Sequence, residues 1–98
     1  MVTQYERGRA KEYRCMELLK RDGWTVGRSA ASHSPVDIFA AKDGKVLLVQ
    51  VKSGKARIKA EELRELVKWA IAFNADAEVW HFRERGNLQK RRVSMARE

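Results

Sequence analysis

Pro35-Val36-Asp37-Ile38-Phe39-Ala40-Ala41, then Lys42-Asp43-Gly44-Lys45, then Val46-Leu47-Leu48-Val49-Gln50-Val51-Lys52 reads as strand, turn and strand. Asp43-Gly44 between two apolar runs favours a two-residue hairpin turn. Such a turn pairs Lys42 with Lys45, and counting outward sets Asp37 opposite Gln50. Opposed residues share a face, with Cβ atoms about 4.5 to 5.5 Å apart, and side chains alternate along each strand. Lys52 therefore joins Asp37 and Gln50 on one face, while Leu47, Val49 and Val51 turn to the other. A carboxylate, an amide and an ammonium are predicted to converge.

Outward from the hairpin, Thr3 to Arg21 has helical periodicity, with Tyr5, Gly8, Cys15, Met16 and Leu19 in one stripe, and Asp22-Gly23 ends it. Trp24 to Arg28 reads as a short strand and Ser29 to Ser34 as a polar loop. After a basic loop, Ser53 to Arg57, a second helix is predicted over Lys59 to Asn74. Its buried side would carry Leu63, Leu66, Val67, Ala70, Ile71 and Phe73, with Glu61 and Glu62 suiting its first turn. Glu78 to Phe82 is a further strand, Arg83 to Gln89 a turn region, and Lys90 to Met95 an edge strand. The connection from the Val46 strand through the second helix to the Glu78 strand has the length of a right-handed parallel crossover. The fold class is α/β, a mixed central β-sheet with flanking helices.

With 98 residues the chain suits one domain, 1–98, around one core. Met1 to Glu12 carries mixed charge without an apolar core, and the apolar run Trp69 to Phe73 is too short to span a bilayer, so a soluble, intracellular (cytoplasmic) protein without a membrane partner is expected. The single cysteine, Cys15, cannot form an internal disulfide, and with His33 and His81 it makes no structural zinc site. A net charge of +8, from 21 Lys and Arg against 13 Asp and Glu, points to a polyanion, above all nucleic acid.

Glu12 sits within the stripe of Tyr5, Gly8, Cys15, Met16 and Leu19 rather than on the solvated side. A carboxylate there needs a cation, a metal or hydrogen-bond donors. One reading is a salt bridge to a residue at the core edge such as Arg28. The other has this helix pack on the sheet face bearing Asp37, Gln50 and Lys52 and bring Glu12 to the same point. Two carboxylates, an amide oxygen and a lysine suit metal-assisted phosphodiester hydrolysis. Mg2+ prefers oxygen ligands and takes only one or two protein carboxylates, and a nearby lysine can position water and steady the anionic transition state.

Arg7-Gly8-Arg9-Ala10-Lys11-Glu12, Gly23-Trp24-Thr25-Val26-Gly27-Arg28-Ser29-Ala30-Ala31-Ser32, Val36-Asp37-Ile38 and Val49-Gln50-Val51-Lys52-Ser53 resemble, in order, the motifs of archaeal Holliday junction resolvases, within the PD-(D/E)XK nuclease superfamily. The resemblance implies a restriction-endonuclease-like core, a Mg2+- or Mn2+-dependent endonuclease acting on four-way DNA junctions, and a homodimer. It makes Glu12 and Asp37 acidic metal-site residues, Lys52 the catalytic lysine, Ser32 a loop residue near the scissile phosphate and the Val51 carbonyl a further metal ligand. Gln50 departs from the resolvase pattern, which has glutamate there. A neutral oxygen still coordinates, but about 4 Å from a cation the lost charge forfeits roughly 4 kcal/mol at an effective dielectric near 20.

Arg7, Arg9, Arg28, Lys55, Arg57 and Lys59 flank the expected site as phosphate contacts, which position DNA without reading sequence. Trp24 and Trp80 read as core strand residues, Trp69 as a border residue serving the core or a subunit contact, and Cys15 as a small core residue. Two alternatives stand beside the resolvase reading: a nuclease on flaps, nicks or other branched DNA, and a catalytically silent nucleic-acid-binding domain of the same fold.

Overall fold

The Asp43-Gly44 turn forms where the dipeptide puts it, both residues having positive φ (53° and 79°), and Lys42 faces Lys45. The computed structural model describes residues 4–30 and 34–97, so Ser32 and His33 lie outside the described residues. From the turn the antiparallel ladder of β2 (Ile38–Lys42) and β3 (Lys45–Ser53) runs back to Ile38 opposite Val49. One step further, the Asp37 N–H donates to the Val49 carbonyl at 2.8 Å. This is the predicted register.

Around the hairpin lie α1 (Gln4–Arg21), β1 (Thr25–Arg28), α2 (Ala60–Phe73), β4 (Asp76–Phe82) and β5 (Leu88–Ser94), with a 3-10 turn at Glu84–Gly86. The five strands are ordered β1-β2-β3-β4-β5, antiparallel except for the parallel β3–β4 pair that α2 connects. That pair is the predicted crossover, and β5 is the predicted edge. Gly23, at φ 89°, ends α1, and Asn74 ends α2 in the left-handed conformation, after which the Ala75 N–H donates to the Ala70 carbonyl at 2.8 Å.

Strand alternation divides the core between two layers. Cys15 and Leu19 of α1 pack on Ile38, Ala40, Leu47, Val49, Trp80 and Phe82. Leu66 and Ala70 of α2 pack on Val36, Leu48, Ala77 and Val79 on the opposite face. Gln50 and Lys52 share the parity of Leu48 and so lie under α2. The apolar face of α2 is narrower than its sequence suggests: Ile71 and Phe73 were expected in the core, yet they are 65% and 52% exposed. The sheet covers only the stripe through Leu66 and Ala70, and Phe73 instead stacks on Trp69 and meets Phe39 edge-on. No helix among the described residues is long and apolar enough to cross a membrane.

Gly44→Ala tests the turn. An added Cβ would meet nothing within 4 Å, so its cost is the left-handed backbone alone. The expected loss is about 1 kcal/mol, read as a lower urea midpoint at unchanged slope.

Candidate active site

Asp37 stands at the entrance to β2, where its backbone extends the ladder and its side chain reaches across it. Its Oδ2 accepts the Val51 N–H at 2.7 Å. Burial pushes this carboxyl from its ordinary 3.8 up to about 6; the Val51 hydrogen bond and the Lys52 charge pull downward, while Glu12 and Glu62 add to the upward push. Within a strand the N–H and C=O of one residue point to the same neighbour. The Val51 carbonyl is therefore also directed toward the Asp37 side.

Beside Asp37, Gln50 is only 8% exposed, and among the described residues its Oε1 has no hydrogen-bond partner. Leaving a buried acceptor unsatisfied costs about 1–3 kcal/mol. Both side chains line a cavity of about 420 Å³ walled also by Glu61, Glu62, Glu65 and Trp69 of α2. Lys52, on the same face, donates from Nζ to Glu62 Oε2 at 2.9 Å, and Glu62 Oε1 accepts the Lys59 N–H at 3.0 Å. Burial pushes the Glu62 carboxyl up, but the hydrogen bonds from Lys52 and Lys59 outweigh it and hold the group below the usual range.

Glu12 arrives differently from the expectation. The helix that carries it packs on the opposite face of the sheet, because α2 already covers the Gln50 and Lys52 face. Glu12 Oε1 accepts from Arg28 Nη1 at 3.1 Å, with both side chains half-buried, so the core-edge salt bridge is the pairing that forms. Its charge still reaches Asp37, whose carboxyl it helps to raise. Arg28 also lies over the Tyr13 ring, 5.2 Å from the centroid, so this expected phosphate contact is engaged by its own protein.

The donor chemistry of Asp37 and Gln50 suits a hard divalent cation: a carboxylate and an amide oxygen without a partner among the described residues belong to side chains that line one cavity, and such an ion would complete its shell with water. Among the described residues no three His, Cys, Asp or Glu side chains group closely enough to hold a metal ion.

The basic surface begins immediately after Lys52. Arg7 and Lys11 of α1, Lys55, and Arg83 and Arg85 beyond β4 line a concavity of about 820 Å³. A second hollow of about 460 Å³ adds Arg57. Arg7 and Lys55 share the first hollow, and Lys55 and Arg57 the second. Arg9 is exposed on α1, and Lys59 heads α2 on the acidic side. Sequence reasoning missed Lys11, Arg83, Arg85 and Glu62. Lys11 was legible one helical turn from Arg7, and Glu62 one turn before the buried Leu66.

The remaining chemistry-bearing side chains have structural roles. Burial pushes the Cys15 thiol up to about 12, which rules out a thiolate nucleophile at neutral pH. His81 Nε2 is 2.7 Å from the Gly54 carbonyl. Trp80 is buried with its Nε1 donating to Glu78, and Trp24 packs against the α1 core.

Residues 3–93 match the family model described as archaeal Holliday junction resolvase (Hjc). Over 76 residues the chain is 32% identical to a protein of Methanocaldococcus jannaschii named crossover junction endodeoxyribonuclease Hjc, an alignment covering 74% of this chain. The chain spans only 56% of that relative's length. The 1.6 Å structure of Archaeoglobus fulgidus Hjc, titled a Holliday junction resolvase from an archaeal hyperthermophile, superposes with a TM-score of 0.78 at 28% identity, covering 89% of this chain and 73% of the other.

Proposed function

The chain belongs to the archaeal Holliday junction resolvase family, and we propose that it is a Mg2+- or Mn2+-dependent, structure-specific endonuclease that nicks four-way DNA junctions as a homodimer. The observation that carries this reading is the buried Gln50 Oε1, without a partner among the described residues, on a side chain that lines one cavity with Asp37. A DNA-binding surface alone gains nothing from carboxylates near phosphate, which repel the ligand unless a cation sits between them.

Asp37 and Gln50, with the Val51 carbonyl, would hold the ion. When bound, it would supply neutralisation of charge developing on the phosphate and a lowered pKa for water. Lys52 orients the attacking water and steadies the anionic transition state. Glu12 holds Arg28 at the edge of the site and adds negative charge around Asp37, which favours cation entry. Arg7, Lys11, Lys55, Arg57, Arg83 and Arg85 take the backbone phosphates of the arms and fix position without reading bases. One such site cuts one strand, so resolution needs a second related by two-fold symmetry. Exposed Ile71 and Met95, which line one cavity beside Asn74, offer apolar surface for the partner copy.

A cleavage assay on a four-way junction, a flap, a nicked duplex and a linear duplex tests the reading. Paired, symmetrically placed nicks in the junction are expected with Mg2+ or Mn2+ and none with a chelator. Preferential cutting of the flap or nick would replace the junction by another branched substrate. Tight junction binding without cleavage in either metal would leave a silent binding domain, the outcome that the Lys52–Glu62 pair would explain by keeping the lysine engaged.

A further inference from the structure

Gln50 deprives the site of a formal charge that a divalent ion would use, and the same cavity contains an acidic group in position to replace it. Glu62, Leu66 and Ala70 recur every four residues along α2, so Glu62 continues toward the sheet the stripe whose later members are buried. It lines the cavity with Asp37 and Gln50, and its charge is one of those that act on the Asp37 carboxyl. Its neighbours Glu61 and Glu65 also line the wall, but the Lys52 hydrogen bond goes to Glu62. An acidic wall alone would indicate nothing, but Gln50 lines that cavity too, and its buried Oε1 has no partner among the described residues, a polar atom that a cation would satisfy.

We propose that Glu62 is the second anionic metal-site group of this chain, paired with Lys52 while the site holds no ion and turned to the ion when it loads, which releases Lys52 for the chemistry. Resting on the metal-dependent reading above, this adds a site residue from a different element and makes cation binding and lysine release one event. The exchange is electrostatically balanced. Without the ion, the Lys52 ammonium is the counter-charge that keeps Glu62 from repelling Asp37; with it, the divalent charge takes that place and both carboxylates gain a partner. Glu62 Oε1 remains on the Lys59 N–H as a pivot, so the side chain can turn without uncapping the helix.

Mn2+ titration of the full chain by calorimetry, without DNA, tests this independently of cleavage. Glu62→Gln keeps the acceptor for Lys59 and is expected to weaken Mn2+ binding by at least about tenfold, whereas Glu65→Gln stays within about threefold of the parent. Adding Gln50→Glu to Glu62→Gln should restore affinity, a rescue that only a folded protein with a shared coordination sphere can give. Asp37→Asn should remove binding altogether. If Asp37→Asn removes binding and Glu62→Gln does not weaken it, the inference fails while the metal site stands. Equal losses from Glu65→Gln and Glu62→Gln would also overturn it, since they indicate a diffuse acidic field. If Asp37→Asn leaves Mn2+ affinity unchanged, the ion binds elsewhere and both readings fall.

Discussion

Asp37→Ala and Lys52→Ala are each expected to reduce junction cleavage by at least about a thousandfold at saturating metal and DNA, while leaving junction affinity within several-fold. The two readouts separate because different side chains serve them. On the proposed reading, cleavage would depend on the half-buried Asp37 carboxylate and on Lys52, whose side chain is 18% exposed. Affinity would depend on Arg7, Lys11, Lys55, Arg57, Arg83 and Arg85, which line hollows outside the Asp37 cavity. Single-turnover cleavage and a binding titration in Ca2+ on the same junction give both numbers. Parent-rate cleavage by either variant would place the chemistry elsewhere, and a parallel collapse of affinity would mean that the site is chiefly a DNA contact.

The hairpin was legible because Asp43-Gly44 leaves little freedom: once the turn is fixed, parity alone places Asp37, Gln50 and Lys52 on one face. The parallel crossover was legible from connection length. What the sequence withheld was which layer each helix would take. A stripe of apolar residues says that a helix has an inner side, not which face of the sheet receives it, so Glu12 was expected under the same cover as Gln50 when α1 packs opposite. Glu62 was passed over for the complementary reason. As an acid in the first turn of a helix it already had an explanation in the helix dipole, and its relation to Lys52 exists only once the crossover brings α2 over β3. Ile71 and Phe73 show the same limit, since the periodicity of α2 does not reveal how wide a strip of sheet lies beneath it.

The half-buried Asp37 carboxylate also makes the resting site a cost to the fold, with a defined pH dependence. Asp37 has a carboxyl near 6 in the folded chain, against about 3.8 as the ordinary value. Below about pH 4 both folded and unfolded chains hold the proton and nothing is lost. Between about 4 and 6 the unfolded chain releases it first, so stability falls as pH rises, and above about 6 the full loss is present. Each unit of pKa difference is worth about 1.4 kcal/mol, so the loss is on the order of 2–3 kcal/mol. Asp37→Asn removes the charge but keeps an oxygen for the Val51 N–H. In chelator it should be more stable than the parent by that amount at pH 8 and equal to it near pH 3.5, measured as the difference between urea unfolding curves at each pH. Adding Mn2+ at pH 8 should then raise the parent and not the variant, because a ligand that binds only the folded state stabilises it in proportion to its occupancy. A variant less stable than the parent at pH 8 would show instead that the Val51 bond and the Lys52 charge outweigh burial, and Asp37 would then be a structural clasp between β2 and β3.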